Sequence, residues 1–550
     1  MVRLVLAFLL VVAPPAFAAT GDAAIASAHP LASEAGYKIL ARGGNAFDAA
    51  VAVSAALAVV EPFGSGLGGG GFWLLHQARS KNDIVIDGRE VAPQAARRTM
   101  YLDAVGKPLP RASLDGPLAA AIPGTPAALV LIAAKYGRLP LAMSLEPAIE
   151  LAQNGFVVDA RFQRLAESRA AALQQYSSGS RFMRNGRPLV AGAILRQPEL
   201  AGTLQEIAVR GAAGFYKGRV ASELIESVRA AGGNWSYADL THYRAVERKP
   251  TVFRYRDLTV TTAPLPSSAG VTLPQIFHML EPFPLETLPP PKRVHLSVEA
   301  MRRAYQDRAR YLGDPDFVTV PLEKLVSKQY AIERARGIDL ERAGSSGEEL
   351  RPVREGASTT HFSIIDRAGN RVAATMSINT AFGSGFVAGA SGVLLNNEMD
   401  DFVIAPGQPN VYGLVGGAAN SIQPGKRPLS SMAPTFVEDA RGILVLGTPG
   451  GSRILSMIAL AILDYSLKRD VHIEALMAAP RFHHQYLPDV IEVEPDGFDF
   501  ALASELELIG HTLKPAASSW GNMQAVYYDK SRKRSQAFGD PRALKAQTGF

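Results

Sequence analysis

Ser358-Thr359-Thr360-His361-Phe362-Ser363 places a hydroxyl nucleophile where breaking one peptide bond would create a new N-terminus. A threonine hydroxyl is a weak nucleophile until a base removes its proton, and a free α-amino group with a pKa of about 7.7–8.0 on the same residue provides that base. An internal Thr359 has no such group, so this chemistry requires cleavage between Ser358 and Thr359 first. Thr-rich alternation is also the pattern of an ordinary half-buried strand, and six residues do not separate the two readings.

The flanking sequence supplies the elements that would position this group. Residues 360–365 read as a strand, Asp366-Arg367-Ala368-Gly369-Asn370 as a turn, and residues 371–379 as a second strand. A hairpin symmetric about Ala368 sets Thr359 opposite Ser377 on one face of the sheet, with Asn379 diagonal to it. Further on, residues 443–447 read as a strand, Thr448-Pro449 as a break, and residues 454–463 as an apolar helix with Ser452 as its N-cap. Glycines at that junction, Gly450 and Gly451, let two backbone amides approach a developing oxyanion beside a helix N-terminus. A plain strand-to-helix turn is the alternative.

Several blocks occur in a fixed order. They are Thr359-Thr360-His361-Phe362-Ser363, Asn379-Thr380-Ala381-Phe382-Gly383, Leu395-Asn396-Asn397-Glu398-Met399-Asp400-Asp401-Phe402, Arg427-Pro428-Leu429-Ser430-Ser431-Met432 and Pro449-Gly450-Gly451-Ser452-Arg453. Upstream stand Gly43-Gly44-Asn45-Ala46-Phe47-Asp48, Gly68-Gly69-Gly70-Gly71-Phe72, Asp87-Gly88-Arg89-Glu90, Pro123-Gly124-Thr125-Pro126 and Tyr311-Leu312-Gly313-Asp314-Pro315. Together they closely resemble the γ-glutamyltransferases, also called γ-glutamyltranspeptidases or glutathione hydrolases, over essentially the whole mature chain.

The resemblance implies an α+β, N-terminal-nucleophile hydrolase fold: a four-layer αββα sandwich formed by two chains cut from one precursor. Residues 19–358 would be the large subunit and residues 359–550 the small catalytic one, associated as a heterodimer in one compact unit. It implies a γ-glutamyl ester on Thr359, glutathione and other γ-glutamyl compounds as donors, and water, amino acids or dipeptides as acceptors, with no cofactor and no metal. It assigns Glu398 and Asp401 to the donor's ammonium, and Arg89, Ser430 and Ser431 to its α-carboxylate, with Asn379 also in the site. Residues 406–418 resemble a lid loop in which Tyr412 covers the acyl group; an ordinary Gly-rich surface loop is the rival. Two positions depart from the family pattern. Ser377 stands where many relatives have threonine, and Glu398 where some bacterial relatives have glutamine.

Composition is permissive. The chain has 550 residues, 47% of them apolar and 20% charged, which suits a large soluble core without dividing it into domains. It has no cysteine, so thiol nucleophiles, thiolate metal sites and disulfides are excluded. The formal charge of +6 is dispersed, and no basic block interleaves with aromatics, which argues against nucleic acid as a partner. Arg3, the apolar run 4–13 and Ala16-Phe17-Ala18 read as a leader removed after Ala18, which predicts export to the periplasm or secretion.

Other motifs fail on context. Gly64-Ser65-Gly66-Leu67-Gly68-Gly69 matches a dinucleotide fingerprint, but a predicted helix (46–60) precedes it and a strand (72–76) follows, the reverse of what a nucleotide needs. His483-His484 lacks the spacing and carboxylate of a zinc site. No G-x-S-x-G elbow is present. Two other functions stay open from sequence: an acylase of the same fold acting on glutaryl groups, and a non-catalytic γ-glutamyl peptide-binding protein.

Overall fold

The computed structural model describes residues 23–177, 181–347, 358–468, 470 and 472–543; the predicted leader lies outside them. Two six-stranded sheets face each other. The first runs Ala24–Ser27, Thr359–Ile365, Arg371–Ser377, Gly70–Gln77, Asn82–Asp87, Val246–Arg248, antiparallel throughout. The second runs Arg534–Gly539, Gln524–Asp529, Gly442–Gly447, Thr435–Glu438, Leu258–Thr262, Thr251–Tyr255, also antiparallel. Helices cover both outer faces, which gives the expected αββα order.

Strand alternation assigns each face its layer. In the strand Thr359–Ile365, Phe362 and Ile364 pack with the first outer helical layer, while Ile365 joins the core shared with the second sheet. The first layer centres on the helix Ala46–Val60, buried at all of its positions. Its alanines let it lie close to the sheet, and Asn45 and Asp48 form a reciprocal capping box at its start. Asp366 in the hairpin turn accepts from the Ala46 amide at 2.9 Å and from the Ala368 amide at 2.9 Å. One carboxylate therefore fixes both the turn and the helix beneath it. The second layer contains Ala269–Leu280, Pro290–Tyr311 and Ile454–Leu467.

The glycine run after the buried helix is a close-packing device. A Cβ on Gly68 would lie 2.1 Å from the Leu394 carbonyl oxygen, and one on Gly69 would lie 2.1 Å from that of Ser377. The run leads into the strand Gly70–Gln77, as the sequence predicts.

Each sheet combines strands from before and after Thr359. A cut at that point leaves two chains hydrogen-bonded through both sheets, with no surface along which they separate. The fragments are expected to elute together in native size exclusion and to part only in denaturant; separate native peaks would contradict the interleaved topology.

Candidate active site

Thr359 and Ser377 are directly paired across the hairpin, the register that symmetry about Ala368 predicts. Their hydroxyl oxygens are 3.2 Å apart, and the Ser377 hydroxyl reaches the Ser358 carbonyl oxygen at 3.5 Å. The Asn379 amide donates to Ser377 Oγ at 2.8 Å. Ser377 has one proton, and with that proton on the Ser358 carbonyl the Thr359 hydroxyl is the donor to Ser377.

The strand ends at Ser377, two residues earlier than expected, because Asn379 turns to φ 73°. Asparagine tolerates that left-handed conformation better than most residues. Its side chain donates to the Asn397 carbonyl at 2.9 Å and its own carbonyl accepts from Tyr412 Oη at 2.7 Å. His361, two residues beyond Thr359, is not placed to act as a base for its hydroxyl. Its ring nitrogens meet Thr375 Oγ1 at 2.8 Å and Ser363 Oγ at 3.1 Å, and burial pushes its pKa down to about 3.

One cleft is lined by Arg89, Thr359, Ser377, Asn379, Glu398 and Asp401, and also by Tyr412, Ser430, Ser431 and Gly451. It thus collects every predicted site residue except Gly450, which adjoins it in sequence. Glu398 and Asp401 lie on the short turn Glu398–Asp401 and both reach one guanidinium. Arg89 meets Asp401 at 2.5 Å, Glu398 at 2.6 Å and Glu90 at 3.3 Å, and donates from Nε to the Pro428 carbonyl at 3.1 Å. The acidic and basic readers assigned by resemblance to opposite ends of the donor are here bound to each other.

Three carboxyls crowd one buried cation, more acid groups than its single charge balances once they ionise. Burial raises Glu398 well above the carboxylate range and Glu90 to about 7, with the charge of Arg89 opposing both shifts. Glu398 Oε1 and Glu90 Oε1 have no hydrogen-bond partner among the described residues. A cationic group entering the cleft is the ligand such a cluster favours. Protonating the cluster removes that attraction, so KM for a donor bearing an α-ammonium is expected to rise as pH falls below about 7. KM for a glutaryl donor, which lacks the ammonium, should stay flat; parallel profiles would dissociate the cluster from ammonium binding.

Elsewhere along the cleft, the Met432 amide donates to Ser430 Oγ at 3.1 Å and Arg308 Nη2 donates to Ser431 Oγ at 3.2 Å. The strand Gly442–Gly447 leads to Gly450 at φ 146° and Gly451 at φ 56°. Among the described residues neither glycine amide donates to another backbone group. Ser452 is not the N-cap: it sits inside the 3-10 turn Gly451–Arg453, and the helix Ile454–Leu467 begins after Arg453. The two glycines coil the chain early enough for the Arg453 amide to bond the Gly450 carbonyl at 3.1 Å, which moves the helix start past the serine.

Residues 406–418 fold over the cleft and are tied down. Val411 donates to Asp400 at 2.9 Å, Asn410 to Asp401 at 3.3 Å, and Gln485 to the Tyr412 carbonyl at 3.0 Å. Tyr412 is buried against Gly451.

Sequence reasoning missed Arg308, which lines the same cleft. It is one of several arginines on the helix Pro290–Tyr311, and only burial distinguishes it from those that face solvent. Leu414, Met432 and Ile454 were also missed; apolar lining carries no chemical signature.

His483 and His484 point to different partners: Ser456 and Gln485 for the first, Asp489 for the second. Among the described residues His295, Glu299 and His511 are close enough to share an ion. Their ligand atoms are committed elsewhere, since the two rings bond each other at 2.8 Å and Glu299 is held by Arg302 and Arg303.

The family model "Gamma-glutamyltranspeptidase" matches residues 32–550. A glutathione hydrolase proenzyme of Escherichia coli (strain K12) is 44% identical over 506 residues, covering 90% of this chain and 87% of that one. Among solved structures, the cephalosporin acylase from Bacillus halodurans superposes with a TM-score of 0.81 at 26% identity, covering 98% of both chains. The γ-glutamyltranspeptidase of Helicobacter pylori gives 0.56 at 40% identity, covering 57% of this chain and 91% of that one.

Proposed function

The chain belongs to the γ-glutamyltranspeptidase family, and we propose that Thr359, freed as an N-terminus by cleavage after Ser358, is the nucleophile of its γ-glutamyl transfer and hydrolysis. The protein is an N-terminal-nucleophile enzyme made as a proenzyme and acting on glutathione-type substrates. The observation that carries the assignment is the hydroxyl chain from Thr359 through Ser377 to the Ser358 carbonyl.

In the precursor, Thr359 Oγ1 attacks the Ser358 carbonyl carbon while the Ser377 hydroxyl donates to the carbonyl oxygen. The carbon–nitrogen bond then breaks, and the nitrogen takes the proton given up by the hydroxyl. Water hydrolyses the resulting ester, releasing the Ser358 carboxylate and restoring the Thr359 hydroxyl beside a free amine. That amine is the base which the internal residue lacked.

In turnover the same oxygen attacks the γ-carbonyl of the donor. The α-amine of Thr359 takes the hydroxyl proton and delivers it to the departing amine. The Gly450 and Gly451 amides receive the oxyanion, a type of interaction worth about 3–4 kcal/mol. Water then attacks the γ-glutamyl ester to give hydrolysis, and the amine of an amino acid or dipeptide gives transfer. Glu398 and Asp401 hold the donor ammonium, Ser430 and Ser431 its α-carboxylate, with Arg89 between the two groups and Asn379 beside the nucleophile. The chains 19–358 and 359–550 stay together as a heterodimer, and residues 1–18 direct export to the periplasm or outside the cell.

The test is intact mass with N-terminal sequencing, followed by donor kinetics. Fragments beginning at residue 19 and at Thr359 are expected. A γ-glutamyl donor should exceed its glutaryl analogue by at least about 10²-fold in kcat/KM, because the analogue leaves buried carboxylates without their partner. Equal rates would move the protein to the acylases, and ligand binding without turnover would make it a binding protein.

A further inference from the structure

Arg308 stands on the helix Pro290–Tyr311 at a wall shared by the substrate cleft and the space behind residues 406–418. It is 5% exposed, yet its hydrogen bonds are to hydroxyls: Nε donates to Ser268 Oγ at 3.2 Å and Nη2 to Ser431 Oγ at 3.2 Å. Among the described residues it has no carboxylate partner within ion-pair distance. A buried cation without an anion is costly to maintain, and where it faces a cleft the missing anion is a ligand. The cation previously assigned to that task is differently placed, since Arg89 is already matched by Glu90, Glu398 and Asp401.

The hydroxyls around Arg308 show how its charge reaches the cleft. Ser431 Oγ accepts from Arg308, which leaves the serine proton to be donated, and Ser431 lines the cleft. Ser430 Oγ accepts from the Met432 amide and is left in the same state. Ser268, while accepting from Arg308, donates its own proton to the Ser430 carbonyl at 2.8 Å. One guanidinium thus orients Ser431 directly and braces the Ser430 backbone through Ser268, and both serines line the cleft.

We infer that Arg308 is a specificity-determining positioning residue for the donor's α-carboxylate: it presents Ser431, and through Ser268 Ser430, as hydroxyl donors and supplies the cationic charge that the carboxylates around Arg89 have neutralised there. The inference rests on the γ-glutamyl reading above. It adds a residue that reaches the cleft from the helix Pro290–Tyr311.

Arg308→Gln and Arg308→Lys are compared with the parent as processed heterodimers, using γ-glutamyl-p-nitroanilide and 4-aminobutyryl-p-nitroanilide. The second donor keeps the amine and lacks the carboxylate. Arg308→Gln should raise KM for the γ-glutamyl donor at least about tenfold, with kcat within about threefold, the pattern of lost binding rather than lost chemistry. Discrimination between the two donors in kcat/KM should narrow by the same factor. Arg308→Lys keeps the charge but not the fork, so KM should lie between the two, about threefold above the parent. An equal loss on both donors, or a fall in kcat without a KM change, would overturn the inference. If the glutamine variant does not self-cleave, the lysine variant decides, and an unchanged KM there overturns it. A parent that turns over neither donor refutes the γ-glutamyl reading itself, independently of Arg308.

Discussion

Thr359→Ala is expected to accumulate as one uncleaved chain with no measurable turnover. The substitution removes one hydroxyl and one methyl from a residue that is 3% exposed, and leaves the strand pairing with Arg371–Ser377 intact. Ser377 still accepts from the Asn379 amide, so no buried donor is orphaned. The fold should therefore survive while both reactions stop, since both begin with the same oxygen. Loss of a nucleophile costs on the order of 10⁶ in kcat where the residue acts as a unit with its base. Here nucleophile and base are one residue, and without cleavage the base never forms. Intact mass would find a single chain, and Thr359→Ser, which keeps the oxygen, should restore cleavage. A cleaved and active alanine variant would rule the scheme out.

The parts of this site that sequence made legible are those set by local periodicity. The register of Thr359 against Ser377 follows from the length of one turn, and the helix Ala46–Val60 was legible in its alanine-rich run. The order of a helix before the glycine run and a strand after it was readable, and it excluded a nucleotide fingerprint. What sequence did not convey depends on contacts between distant segments. Arg89 and Asp401 are 312 positions apart, and nothing local announces that an arginine assigned to one end of the donor will bind the carboxylates assigned to the other. Arg308 lay within a charge-rich helix where another arginine, Arg302, is equally buried but pairs with Glu299 and Asp489, and the sequence does not tell the two apart. Ser452 looked like a cap because serine before an apolar run usually is one, but the backbone angles of Gly450 and Gly451, set by the close approach of Tyr412 and Met457, move the helix start.

That same approach makes Gly451 the position where a single methyl group should separate processing from turnover. Gly451 has φ 56°, and a Cβ there would lie 2.5 Å from both Cδ1 and Cε1 of Tyr412. The ring has little freedom to retreat. Its hydroxyl is bonded to the Asn379 carbonyl and its own carbonyl to Gln485. Gly451→Ala must therefore either push Tyr412 off the cleft or displace the amide proposed above to receive the oxyanion. A displaced oxyanion donor costs about 10²–10³ in kcat, and a loss of that size is expected with KM changed far less. Self-cleavage should proceed, because its carbonyl is that of Ser358, which Ser377 rather than the glycine turn serves. The variant should thus appear as two fragments of parental mass, one heavier by a methylene, with a slow acyl-transfer step. A Gly451→Ala protein that stays uncleaved would mean the turn is needed to fold the nucleophile strand. One that turns over within threefold of the parent would remove these amides from the oxyanion site and leave the hydroxyls around Ser377 as the remaining donors.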